Sequence, residues 1–327
     1  MRKIRILLIG PVPPPSGGVS IHVRRLAKKI NESPDFECAV FDIGKMKFYN
    51  SISAQKNLIE ALIYFFNCSI VHIHIAHKYK VIVAGIAKLF GKKIVFTQHN
   101  LREEKNQSSI KMYNLSSKII VVNPNSRADK NEKVLIIPAY IPADQKEDIG
   151  NNLKNDLTKY KKVVVAIASH PPEKPVLQNG KDIYGFDVIL NAYERFAQAG
   201  MLLLLIDVNG AMSSFYEKQV RMLIAENLAV KYVSSEVAFS SLLKYIDVFI
   251  RPTRSDGDSI AIREALACGV KVLASDCVTR PSGVALFKNG DELSLSEELL
   301  DLLKKSKPTP LAQSDNSRQI LVLYRLL

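Results

Sequence analysis

The sequence predicts an α/β protein made of two Rossmann-like, doubly wound domains, and three observations carry that expectation. At 327 residues the chain exceeds what one hydrophobic core usually serves. Short apolar runs alternate with amphipathic stretches, the pattern of parallel strands joined by helical crossovers. That alternation is interrupted once, by the polar and strand-free PADQKEDIGNNLKNDLTKYKK at 142–162.

IRILLI at 4–9 reads as a buried strand. VSIHVRRLAKKI follows as a helix, with Val19, Val23, Leu26 and Ile30 on one face. Further strands are expected at 37–42, 70–75, 93–97, 118–122 and 133–137, with helical patterns at 52–66 and 79–90. After the polar stretch come a strand at 162–168, a helix at 185–199, a strand at 202–207 and a helix at 213–227. A strand at 230–233, a helix at 236–245, a strand at 247–252 and a helix at 259–268 continue the pattern. Strands at 271–275 and 283–287 follow, and a last helical stretch runs from Asp315 to Leu327. The expected division is an N-terminal domain at 1–145, a linker at 146–161, a C-terminal domain at 162–310, and a segment at 311–327 long enough to pack back across either domain. In such sheets ligands sit beyond the C-terminal strand ends, so two domains facing a central cleft are expected to enclose one.

Composition narrows the function classes. The chain is 47% hydrophobic and 24% charged, as in a soluble globular protein. Its formal net charge of +13 suggests a polyanionic partner, either phosphorylated ligands or an anionic membrane surface. The lysines are dispersed and no recognition motif accompanies them, so nucleic acid is not expected. Cys38, Cys68, Cys268 and Cys277 are widely spaced with no CxxC pair, which argues against a cysteine zinc site and a disulfide framework. The apolar run Ile4 to Ile9 is too short for a signal peptide, and no stretch reaches membrane-spanning length. A cytoplasmic protein is expected.

Three stretches carry candidate chemistry. In GPVPPPSGGVSIHV, Ser16, Gly17 and Gly18 open a helix whose amides and dipole suit a phosphate. The turn lacks G-x-G-x-x-G, although Asp42 ends the second strand where a dinucleotide-binding acid would stand. His72 and His74 alternate on one strand face and His77 lies in the turn beyond, without nearby carboxylates, so no metal site is expected there. His99 stands just past a strand end, where a histidine meets substrate or handles protons. In RPTRSDGDSIAIREALACG, the acids could hold a metal, cap the helix or grip a polyhydroxylated ligand. Asp258 or Ser259 is the natural N-cap and Gly269 the C-terminal stop. Asp256 and Glu264, with seven residues between them, remain for ligand hydroxyls, with Arg254 and Arg263 as nearby charge.

DGDSIAIREALACGVKVLASD resembles the E-x7-E signature of glycosyltransferase family 4. PPPSGGVSIHVRRLA, AGIAKLFGKKIVFTQHN, YGFDVILNAYERF and LLKYIDVFIRPT resemble other parts of that family in the same order, so that the likeness spans the chain. The resemblance implies the GT-B fold and a retaining, metal-independent transferase that moves a sugar from a nucleotide-diphosphate-sugar donor. The acceptor would be a hydroxyl of a glycan or lipid-linked glycan, in bacterial cell-surface polysaccharide or glycolipid synthesis. No cofactor is implied, and a peripheral position on the inner face of the membrane is consistent with the charge. It further implies that Glu264 grips the donor ribose and Asp256 the transferred sugar, that Gly257, Asp258, Ser259 and Ile260 hold sugar or diphosphate, that Gly17 and Gly18 approach the diphosphate, and that His99 lies near the sugar. The family's two diphosphate cations fall here on Ala168–Ser169–His170 and Tyr184–Gly185, so neither is in register. Lys174, Lys181, Arg254 and Arg263 are the candidate substitutes. The missing cations leave two alternatives: a catalytically inactive sugar-nucleotide-binding partner subunit, or a nucleotide-sugar epimerase of the same fold.

Overall fold

The computed structural model describes residues 3–51, 54–56, 58–101, 104–126, 132–143, 148–172 and 175–327. The chain forms two units: Met1–Pro14, Gly18–Pro142 and Ser314–Leu327 make the first, and Pro15–Gly17 with Ala143–Gln313 the second.

The first unit runs β1 (Ile4–Ile9), α1 (Gly18–Glu32), β2 (Phe36–Asp42), β3 (Lys47–Ser51), β4 (Ala54–Lys56), α2 (Leu58–Asn67) and β5 (Ile70–Ile73). It continues with α3 (Lys80–Leu89), β6 (Lys93–Gln98), α4 (Gln107–Leu115), β7 (Lys118–Val121) and β8 (Val134–Ile136). Among the described residues its sheet has the order β4-β3-β2-β1-β5-β6-β7-β8, parallel from β2 to β8. Side chains alternate between faces as the pleat requires: Ile6 and Leu8 join one core layer, Leu7 and Ile9 the other. Because β1, β5 and β6 are neighbours, the residues just past their ends, Gly10, His74 and His99, come out side by side.

The second unit holds α5 (Asn151–Leu157), β9 (Lys162–Ala168), β10 (Leu177–Gln178), β11 (Lys181–Asp182), α6 (Phe186–Phe196), β12 (Met201–Asp207) and α7 (Ser213–Ala225). Then come β13 (Val230–Val233), α8 (Phe239–Leu242), β14 (Val248–Arg251), α9 (Ile260–Ala267), β15 (Lys271–Ser275), β16 (Val284–Phe287) and α10 (Glu292–Lys304). Among the described residues six parallel strands take the order β13-β12-β9-β14-β15-β16, and β10-β11 form a separate hairpin. The final helix, α11 (Ser317–Arg325), packs on the first unit, where Ile320, Leu323 and Tyr324 enter its core.

Four expectations change. Residues 47–51 form the antiparallel strand β3, where Phe48 pairs with Phe41 and is buried in the sheet, and 54–56 form the strand β4 where the helical pattern at 52–66 was expected to begin. Residues 52, 53 and 57 of that helical pattern lie outside the described residues. The polar 146–161 stretch contains α5, whose Leu157 packs into the core beside Val163. Helix α10 went unforeseen although Asp291 caps it, accepting from the amides of Leu293 and Ser294. The expected helix at 236–245 is α8 followed by one 3-10 turn.

Candidate active site

β14 lies between β9 and β15, so the loop from Pro252 to Ser259 leaves the sheet at its C-terminal edge. Its centre is Asp256. Arg251, the last residue of β14, donates from Nε and Nη2 to the two carboxylate oxygens at 3.1 and 3.2 Å. Arg280 Nη1 adds a bond of 2.8 Å, Thr253 Oγ1 one of 3.3 Å, and the Gly257 amide one of 3.1 Å. Burial opposes ionisation of this carboxyl, but the two guanidiniums outweigh it and hold it well below the usual carboxylate range. Protein donors occupy the oxygens of Asp256, and the carboxylate clamps the loop to both arginines.

Ser259 is the N-cap of α9, its Oγ accepting from the Ile262 amide at 3.4 Å. Asp258 instead pairs with Arg263 Nε at 2.7 and 2.9 Å, so this cation and this acid satisfy one another. Ile260 begins the helix and Glu264, one turn on, is buried at 6% exposure. Arg254 forks onto Asp187 with bonds of 2.7 and 2.6 Å. Gly257 stays within the clamped loop, while Gly18 is the first residue of α1 and Gly17 counts with the second unit.

The cationic gap at Ala168–Ser169–His170 has a physical basis. His170 is fully buried; the Val176 amide donates to its Nδ1 at 3.0 Å, which leaves Nε2–H to donate to Asp182 at 2.9 Å. Both of its nitrogens are taken by protein partners, so its role is structural. Lys181 is exposed on the β10-β11 hairpin, whose Asn179-Gly180 turn has φ of 51° and 73°. Lys174 lies outside the described residues. The cations that do reach the loop, Arg251 and Arg280, were missed. Arg251 was legible as the residue closing a strand before an acidic loop. Arg280 offered no local signal, because only the return of the chain after β15 brings it to Asp256.

In the first unit the histidines separate by their surroundings. His72 is sheet-face packing, with Nδ1 on the Tyr324 hydroxyl at 2.5 Å and Nε2 on Thr97 Oγ1 at 2.7 Å. His77 is exposed and apart. His74 and His99 meet at 3.0 Å, and they are joined by His22 of α1, which the sequence reading overlooked as one more position on an amphipathic helix. Burial lowers the pKa of all three, that of His22 to about 4, and their mutual repulsion adds to the effect for His74 and His99.

Residues 178–305 match the family model described as Glycosyl transferases group 1. Over 195 residues the chain is 26% identical to an N,N'-diacetylbacillosaminyl-diphospho-undecaprenol alpha-1,3-N-acetylgalactosaminyltransferase from Campylobacter jejuni. That match covers 57% of this chain and 46% of the relative, so the likeness spans about half of that protein. Among solved structures, a glycosyltransferase from Rickettsia africae superposes with a TM-score of 0.71 at 14% identity, over 100% of this chain and 99% of the other. Anabaena HepE in complex with UDP-glucose gives 0.67 at 14% identity over 99% and 95%. A protein described as a putative UDP-N-acetylglucosamine 2-epimerase from Listeria monocytogenes gives 0.61 at 15% identity over 98% and 95%. These likenesses show the fold, GT-B.

Proposed function

We propose that this chain, which has the GT-B fold and matches the model described as Glycosyl transferases group 1 over residues 178–305, transfers a sugar from a nucleotide-diphosphate sugar to a hydroxyl acceptor. The carrying observation is the Arg251–Asp256–Arg280 clamp beside the start of α9. Two guanidiniums against one carboxylate leave a net positive charge at the C-terminal edge of the sheet. The first amides of α9 have no intrahelical partners and carry the positive end of its dipole. Charge that develops on a departing nucleoside diphosphate is stabilised by such fixed donors without a metal. Arg251 and Arg280 thus take the part of the two cations that the family places elsewhere. Glu264 serves the donor ribose, while Asp256 acts as a positioning residue that holds both arginines and the loop. His99 serves the transferred sugar, and retention of configuration follows the family.

The acceptor side of this reading is a lipid-linked glycan at the inner face of an anionic membrane. Among the described residues no helix is long and apolar enough to cross a membrane. Helix α2 nevertheless turns Leu58, Ile59, Leu62, Ile63 and Phe66 outward, and α3 turns out Ile82, Ile86 and Leu89. Phe66 and Phe90 stack edge to face at 5.1 Å and join the two surfaces. Exposed Lys88 and Lys93 border them, and the chain carries +13 overall. An apolar helix face rimmed by lysine fits the boundary of an anionic bilayer.

The experiment is a thermal-shift screen of nucleotide sugars, followed by turnover assays of the stabilising donor with glycan acceptors. Transfer that disappears in a folded Glu264→Ala variant supports the reading. Donor binding without turnover identifies an inactive partner subunit instead, and isomerisation of the donor without acceptor identifies an epimerase.

A further inference from the structure

We propose that His22, His74 and His99 form a binding site for a late first-row divalent cation of the zinc type. One ligand nitrogen from each of the three lies within 4.8 Å of the other two. The ring centroids form a nearly equilateral triangle, with sides of 5.4 Å (His22–His74), 5.2 Å (His22–His99) and 5.3 Å (His74–His99). Three imidazoles with an open fourth position are a coordination set that zinc uses, and such nitrogen donors favour zinc, cobalt or copper over magnesium or calcium.

A second observation points the same way. Nε2 of His22 is buried without a hydrogen-bond partner, on a residue only 2% exposed. Buried polar atoms are seldom left so, and each carries a desolvation cost that a ligand would relieve. His72 supplies the internal contrast. It stacks on His74 with centroids 4.0 Å apart, yet both its nitrogens are satisfied by Tyr324 and Thr97, and it stays outside the group. His22 is also oriented for coordination: Nδ1 lies 2.7 Å from the Ala139 carbonyl, which accepts its proton and leaves the Nε2 lone pair free. His74 Nδ1 and His99 Nε2 are 3.0 Å apart, within reach of two ligands on one small cation.

The fold builds this placement deliberately. His74 and His99 stand one residue beyond the neighbouring strands β5 and β6, and α1 lays His22 across them. Gly10 ends β1 on the same edge, where a Cβ would come within 2.9 Å of His74 Cβ, so only glycine admits this approach. His99 is half-buried and leaves the fourth position to water or a ligand hydroxyl.

The site shares His99 with the transferase reading but does not rest on it, because its test reads metal rather than transfer. The full chain is stripped with a chelator and dialysed, then titrated with Co(II) and followed by the visible bands of a tetrahedral cobalt ion; Zn(II) is then used to displace it. The expected result is one equivalent of Co(II), displaced by Zn(II), with at least about tenfold weaker binding in both His22→Ala and His74→Ala. His77→Ala, outside the group, binds as wild type. Absence of a stoichiometric tetrahedral band in the folded wild-type protein overturns the proposal, as does unchanged binding in His22→Ala or loss in His77→Ala. Where an alanine variant loses its circular dichroism signal, His22→Gln replaces it, and X-ray absorption of the zinc-loaded wild type decides: three imidazole ligands support the site, fewer than two overturn it.

Discussion

Asp256 joins stability to chemistry in one side chain. It is held by Arg251, Arg280, Thr253 and the Gly257 amide. Removing one partner of a buried ion network strands the other charges, at a cost of about 3–5 kcal/mol. Asp256→Ala is therefore expected to lower the urea midpoint strongly, whereas Glu264→Ala keeps a near wild-type midpoint and loses turnover. Equilibrium unfolding run beside a transfer assay separates the two. The depressed pKa of Asp256 also sets a pH dependence. Unfolded, the group titrates near about 3.9. Its stabilisation is thus complete above that value and declines as pH falls below it toward the lower folded pKa. Acid unfolding followed by circular dichroism should show a shallower limb in Asp256→Asn than in the wild type.

At the scale of elements, Gly185 couples helix α6 to the clamped loop. It has φ of +73°, and a Cβ there would stand 2.1 Å from the carbonyl oxygen of Pro252. Gly185→Ala must strain the left-handed turn and displace Pro252 at once, so a loss of more than about 1 kcal/mol is expected in thermal melts. Donor binding is expected to weaken with it. The outward faces of α2 and α3 belong to the same scale. An ordinary surface helix hides its apolar stripe, whereas α2 buries Tyr64 and exposes Leu62, Ile63 and Phe66. Exposed positions are tolerant, so Ile63→Asp with Phe66→Asp should leave the melting temperature nearly unchanged. The same pair should abolish pelleting with vesicles containing phosphatidylserine. Wild-type pelleting should weaken as salt rises, since the lysine rim is screened. No pelleting of the wild type at low salt would remove the membrane reading.

For the whole molecule, α11 completes the first unit. Tyr324 is 1% exposed, stacks against Phe36 with centroids 6.1 Å apart, and satisfies His72 Nδ1. Asn316 Nδ2 donates to the Tyr140 carbonyl at 3.1 Å. Tyr324→Phe should cost about 1–3 kcal/mol by leaving a buried imidazole nitrogen unpaired. Truncation before Ser314 should unfold the first unit while the second retains a cooperative transition, a contrast that calorimetry can read.

Much of this was written locally. β1, β9 and β15 begin and end where their strand patterns do, because a parallel strand buried on both faces is a near-continuous apolar segment. The acidic loop, the two candidate caps of α9 and Glu264 were likewise legible, since a helix start is encoded within a few residues. Strands β3 and β4 were hidden because their antiparallel pairing, β3 with β2 and β4 with β3, supplies what their own sequence lacks. What the sequence by itself determined is the pair of doubly wound sheets and the helix that starts at Ile260, both products of short-range pattern. Only the tertiary structure decided which charges meet. Arg280 reaches Asp256, and His22 joins His74 and His99, through long-range chain returns that no local periodicity records.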